Sequence, residues 1–289
     1  MKRIDQVLFS LSLALLVSLC GLFARIVVPA DASADIQTIE LPIVMYHHIL
    51  KDQSKLNDYT ISPEELRSDL QYLKDNGYRS IIMQDLIDYV NGIGVLPEKP
   101  VMITFDDGYE SFYEYAFPIL KEMGFKAVLP VVGTYVDKYS CINDHHICYS
   151  HCTWNQLAVL KNSGIVEIQN HSFNLHSIDQ GRRGAKKKFG ENDSDYRNVF
   201  VSDIGKMQDE CLKNLNGWLP TTFTYPYGQI STEALPIIKE MGFKAALTCS
   251  ENINYLSGDP EELYHLARFN RPHGTSFQSL LEKAQSKKR

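Results

Sequence analysis

Residues 120–129 read LKEMGFKAVL and residues 238–247 read IKEMGFKAAL, and this pair decides the fold. Each stretch gives a last helical turn, a glycine suited to a left-handed C-cap, and then a short β-rich run. The same plan recurs in LKDNGYRSII from Leu73 and in LKNSGIVEIQ from Leu160. One such stretch is an ordinary helix stop, whereas four along one chain describe a repeated αβ unit. Strands that alternate with helices form a largely parallel sheet covered by helices, and the repetition favours closure into a barrel over an open sheet. In an α/β barrel the chemistry collects at the C-terminal ends of the strands.

Working outward, LPIVMYHHIL from Leu41 reads as a further strand, and Ser62-Pro-Glu-Glu65 is a capping box that starts a helix ending at Asn76-Gly77. Three segments place polar residues at strand ends. VMITFDDGY, residues 101–109, leaves its strand at Asp106 and Asp107. Adjacent residues point to different sides, so one aspartate could bind a cation while the other moves protons. Asp-Asp-Gly is also a common turn, and the pair alone is weak evidence. EIQNHSFNLHS, residues 167–177, sets His171 and His176 just past a strand. Two histidines in a tight loop, with one carboxylate, make a metal site with open coordination positions. FTYPYGQ, residues 223–229, is a strand followed by a rigid turn, which can simply reverse the chain or can hold a backbone N–H toward a developing oxyanion.

Taken together and in this order, TFDDG (104–108), HSFNLH (171–176) and YPYG (225–228) resemble the three motifs of the NodB-like polysaccharide deacetylases, carbohydrate esterase family four. The likeness runs from about Leu41 to about Pro272. It implies a distorted, seven-stranded (β/α) barrel. It also implies Asp106 as general base, Asp107, His171 and His176 as ligands of a divalent metal, most simply Zn²⁺, and the Tyr227 N–H as an oxyanion donor. Four residues separate the two histidines, a spacing similar to that of the poly-N-acetylglucosamine deacetylases. In that branch the acid histidine lies on an N-terminal Tyr-His segment, which MYHHI (45–49) resembles, and His47 is preferred over His48 by that alignment. Strand alternation sends the two rings to opposite sides, so only one reaches the site. The usual arginine of the third motif is missing before YPYG, and Arg268 in LARFNRP is the candidate to orient Asp106. His265 is a poor match for the family's late histidine.

The resemblance thus implies hydrolysis of N-acetyl groups on an N-acetylglucosamine-containing polysaccharide, with peptidoglycan, poly-N-acetylglucosamine and chitin oligomers all open as substrates. A deacetylase acting on a small amide could keep the same residues. A non-catalytic carbohydrate-binding relative would not need all of Asp106, Asp107, His171 and His176. An aspartate-nucleophile phosphatase normally spaces its aspartates by one residue, and here they are adjacent.

The chain has 289 residues, 44% of them hydrophobic, enough for a sizeable core. Its formal net charge of −6 gives no reason to expect nucleic acid as partner. Lys2 and Arg3 precede an uncharged apolar run from Val7 to Ala24, the layout of an export signal or of a retained membrane anchor. The expected organisation is a signal or anchor over 1–34, a tether over 35–40, the deacetylase-like domain over 41–275 and a basic tail over 276–289, with the domain outside the cytoplasm. Oligomeric state is not legible. CINDHHICYSHC, residues 141–152, admits a disulfide, free thiols or a second metal site, and an insertion at the rim of the active site suits it. GRRGAKKKFGENDSDYR, residues 181–197, reads as a solvated connection or as a guide for an anionic polymer.

Overall fold

The computed structural model describes residues 38–178 and 181–286, so the apolar run at 7–24 lies outside the described residues. The strands are β1 (Ile39–Leu41), β2 (Ile43–Tyr46), β3 (His48–Ile49), β4 (Thr60–Ile61), β5 (Arg79–Ile81), β6 (Pro100–Phe105), β7 (Ala127–Val131), β8 (Val166–Asn170), β9 (Thr222–Thr224), β10 (Ala245–Leu247), β11 (Asn254–Leu256) and β12 (Phe269–Asn270). The helices are α1 (Pro63–Asp75), α2 (Met83–Val90), α3 (Phe117–Met123), α4 (Gly133–Cys141), α5 (Trp154–Asn162), α6 (Asp193–Asn214), α7 (Ala234–Glu240) and α8 (Phe277–Ser286). No helix among the described residues is long and apolar enough to cross a membrane.

The main sheet runs β10-β9-β8-β7-β6-β2-β12, and every pairing along it is parallel. β5 pairs with the first half of β6, and β7 meets β6 further along, with Thr104 opposite Val128. The sheet is curled, because its two ends approach each other: Thr248 N donates to Leu266 O at 2.9 Å, and Leu266 N to Ala246 O at 3.2 Å, just before β12. β1 and β11 form a separate antiparallel pair, and β3 with β4 a short parallel one.

The repeated helix stops perform as their sequence suggests. Gly77, Gly124, Gly164 and Gly242 all have φ between 75° and 89°, and β5, β7, β8 and β10 follow them within a few residues. A non-glycine residue would be strained there. The Ser62 capping box forms, its hydroxyl accepting from Glu65 N while the Glu65 carboxylate accepts from Ser62 N.

Period-two alternation sorts the strand residues into two cores. Ile43, Met102, Val128, Ala245, Leu247 and Leu266 cluster across the inside of the curl. Val44, Tyr46, Ile103, Phe105, Leu129 and Ile168 pack outward under the helices. The C-terminal stretch read as a basic tail carries α8, which buries Phe277, Leu281 and Ala284 against α1 and β12. Its apolar residues recur at helical spacing, and that face needs covering.

Candidate active site

The inner face of the curl changes from apolar to polar at the C-terminal ends of its strands. Along β6, Met102 and Thr104 point inward, and Asp106 follows in phase. Along β2, Ile43 and Met45 lead to His47 in the same way, while Tyr46 faces outward; His48 also lines the cleft, so the expectation that only one of the two rings reaches it is corrected. Asp106, His47, Asp107, His171, His176 and Tyr227 all line one cleft of about 1070 Å³.

Asp107 does not simply alternate away from Asp106. It adopts φ 71°, and Gly108 follows at φ 78°. A Cβ on Gly108 would lie 2.8 Å from Val131 Cγ1, so only glycine fits this step. The left-handed step turns both carboxylates toward His171, whose Nε2 lies 3.9 Å from Asp106 Oδ2 and 3.5 Å from Asp107 Oδ1. The expectation that the neighbours face different sides is corrected here: both reach the same centre. Among the described residues four non-glycines have φ in the left-handed region, and Asp107, Ser172 and Tyr227 are three of them. Such strain concentrates where a site must be held in one geometry.

Asp107, His171 and His176 bring their ligand atoms within 4.8 Å of one another, the group among the described residues that could hold a metal ion. Asp107 Oδ1 is buried without a hydrogen bond and faces His176 Nε2 at 3.1 Å. The Thr224 carbonyl lies 2.8 Å from His171 Nδ1, and a carbonyl only accepts. Nδ1 therefore carries the proton, and the Nε2 lone pair points into the centre. Two imidazoles and an orphaned carboxylate oxygen are a fitting donor set for a divalent cation. Burial alone would raise the Asp107 pKa, but the nearby His171 and His176 rings hold it well below the usual carboxylate range. Burial alone would lower that of His176, and Asp107 overrides it upward.

Arg268 lies at the closure of the curl. Its Nη1 donates to Asp106 Oδ1 at 2.7 Å and its Nη2 to Oδ2 at 2.9 Å, while Nε donates to Thr248 O at 2.9 Å. The guanidinium is fully buried. Burial pushes Asp106 up, but the Arg268 charge outweighs it and leaves Asp106 below its ordinary value, ionised and able to take a proton.

His47 Nδ1 is buried without a hydrogen bond, its ring edge-on to Tyr59 at 5.1 Å, and burial lowers its pKa. His48 differs from His47 in that both of its ring nitrogens are occupied: Nδ1 lies 2.6 Å from Ser111 Oγ and Nε2 3.1 Å from Cys148 O. The Tyr227 ring packs on His176 at 4.3 Å. His265 is exposed in a 3₁₀ turn, Pro260–His265.

The 141–152 segment is an insertion stitched to the loop after the aspartates. Cys152 N donates to Gly108 O at 2.8 Å, Glu110 N to Ser150 O at 2.9 Å, and Ser150 Oγ to Glu110 Oε2 at 2.6 Å. Cys141, Cys148, Cys152, Cys211 and Cys249 are free thiols, so of the three readings of this segment the free-thiol one describes the structure. In the basic stretch, Arg182 pairs with Glu191, and Lys187 with Asp193 and Glu233, whereas Arg183 lines the cleft. Sequence reasoning did not single out Thr104, Thr248 or Tyr109, and it named His151 only beside His145 and His146 as a possible ligand of a second metal. Alternation alone pointed to Thr104, two residues before Asp106 on the inward face.

Comparison with known proteins agrees with this geometry. Residues 94–246 match the family model described as polysaccharide deacetylase. The chain is 28% identical over 228 residues to the poly-beta-1,6-N-acetyl-D-glucosamine N-deacetylase of Escherichia coli strain K12, covering 73% of this chain and 34% of that one. It thus spans about a third of the length of that relative. Among solved structures, the de-N-acetylase of Aggregatibacter actinomycetemcomitans superposes with a TM-score of 0.72 at 27% identity, over 84% of this chain and 99% of that one. IcaB of Ammonifex degensii gives 0.68 at 26% identity, over 85% and 96%.

Proposed function

The chain belongs to the polysaccharide deacetylase family, and from that membership and the geometry of its cleft we propose that it hydrolyses N-acetyl groups on N-acetylglucosamine residues of an extracytoplasmic polysaccharide, releasing acetate. One observation carries the reading: a buried, arginine-held aspartate stands beside a carboxylate and two histidines that converge on one point. The relatives named for poly-N-acetylglucosamine favour that polymer, and the export-like run at 7–24 favours a place outside the cytoplasm.

Asp107, His171 and His176 would hold a divalent cation, and the mixed nitrogen and oxygen donors favour zinc. Bound there, the cation supplies Lewis acidity toward the acetamide carbonyl and toward water. Asp106 takes the proton of the attacking water, and Arg268 keeps it ionised and aimed. The Tyr227 main-chain N–H donates to the oxyanion as the carbonyl carbon becomes tetrahedral. His47 donates a proton to the departing sugar amine, so the leaving group is an amine and not an amide anion. The products are acetate and a glucosamine residue.

The test is acetate release from N-acetylglucosamine oligomers by the zinc-loaded protein, beside Asp106→Asn and His171→Ala. Asp106→Asn should lose about 10²–10⁴-fold in kcat with its metal retained, as removal of a general base does. His171→Ala should lose metal and activity together. Release from a small acetamide but from no glycan would move the assignment to a small-amide hydrolase.

A further inference from the structure

His151, the penultimate residue of the insertion, lines the cleft together with Tyr109 and Tyr135. It is 7% exposed. Its ring centre lies 4.5 Å from that of Tyr109, 4.5 Å from Tyr135 and 5.5 Å from Tyr139. Neither Nδ1 nor Nε2 makes a hydrogen bond. The Tyr149 carbonyl is near enough to act on the charge of the ring but lies outside hydrogen-bond geometry.

Stability does not account for a histidine here. A buried polar group without a partner is destabilising, and a phenylalanine would fill an aromatic cage without that cost. The rest of the insertion is well partnered: Glu110 accepts from Ser150 and Gln156 and meets His145 at 2.6 Å. Within the insertion, the ring that is both buried and unpaired is the one that faces the cleft.

Burial pushes the His151 pKa down to about 4, so the ring is neutral near pH 7. A neutral imidazole has one donor nitrogen and one acceptor nitrogen, and it suits a neutral group that can do either. A hydroxyl is such a group, and the tyrosine rings beside it offer apolar faces to a sugar ring. We propose that His151 is a specificity-determining residue of this cleft, one ring nitrogen of which hydrogen-bonds a hydroxyl of the glycan whose acetamide is set at Asp107, His171 and His176. The inference rests on the deacetylase reading and adds to it a contact that distinguishes a sugar chain from a simple amide.

The experiment is steady-state acetate release from the N-acetylglucosamine tetramer by the zinc-loaded full chain, with His151→Phe and His151→Gln. His151→Phe keeps the ring and removes both nitrogens. It should raise KM about tenfold, with kcat within about threefold and the melting temperature at or above that of the parent. His151→Gln restores a donor and an acceptor and should recover most of the loss in KM. A parental KM in His151→Phe overturns the inference. The unaltered protein gives a second reading that does not depend on folding of a variant: the ¹⁵N shifts of the His151 ring should move on saturation with the tetramer, and shifts that stay fixed overturn the contact. An unaltered protein that releases no acetate from any glycan overturns the deacetylase reading, and the ring shifts still decide the contact by themselves.

Discussion

Asp106 keeps a buried negative charge because Arg268 meets both of its oxygens. A carboxylate taken out of water on its own would protonate, and a neutral carboxyl cannot take a proton from water. The pair is thus part of the chemistry and not a stabilising extra. Lysine at 268 would keep the charge but give up the planar fork, and the Nε bond to Thr248 O with it. Arg268→Lys is expected to lower kcat for N-acetylglucosamine oligomers by about 10–100-fold while metal content is unchanged, since misaiming a catalytic group by an ångström has that order of effect. Arg268→Met leaves Asp106 buried and unpaired, and should cost about 3–5 kcal/mol by chemical denaturation. A parental kcat in Arg268→Lys would mean that Asp106 needs only a nearby charge. At this scale the sequence was partly legible. The motif residues stand out by type and spacing, and Arg268 could be named as a candidate. The left-handed turn at Asp107 could not be read, because a non-glycine residue gives no sign of positive φ.

The elements were more legible where local chemistry alone decides them. A helix that must stop and reverse into a strand calls for a residue tolerant of positive φ, and Gly77, Gly124, Gly164 and Gly242 announce that need. The C-terminal helix was obscured by its charges. Lys283 and the basic residues after it suggested a solvated tail, yet Phe277, Leu281 and Ala284 repeat at helical spacing and are buried. Phe277 sits between Phe269 of β12 and Tyr72 of α1, both with ring centres 5.9 Å away. Phe277→Ala should therefore cost about 3–5 kcal/mol, as for other buried aromatic truncations. The cost is read from urea denaturation. A loss below about 0.5 kcal/mol would mean that α8 is an ornament on the surface. The insertion at 141–152 was the least legible element. Its place at the rim was legible from the sequence, but its contacts to Gly108, Glu110 and His48 are all distant in sequence, so no local pattern could foretell that His151 would line the cleft.

For the molecule as a whole, the burial that shapes the cleft also sets how stability responds to pH. Glu167 sits on β8 inside the curl, where it accepts from Met83 N at 2.7 Å and Gln84 N at 3.2 Å, at the start of α2. Burial outweighs these bonds and pushes its pKa from 4.5 up to about 7. The folded chain then holds this proton more tightly than the unfolded chain. Its stabilising contribution is complete below about pH 4.5 and is lost as pH rises through 7. Two buried histidines act in the opposite sense. Burial depresses His48 and His151, so their contribution is present above the unfolded value of 6.5 and is lost on acidification. These groups give the stability profile a histidine limb that falls on acidification and a Glu167 limb that falls as pH rises toward 7. Glu167→Gln removes only the upper limb. Between pH 5 and pH 8 the variant should gain on the parent by on the order of 3 kcal/mol, since the rise from 4.5 to about 7 is worth about 1.4 kcal/mol for each tenfold change in proton affinity. Melting curves of both proteins, taken in chelator across that range, measure the difference directly. Two parallel curves would show that Glu167 is ionised in the fold at every pH tested, and that the helix amides stabilise its charge more than burial opposes it.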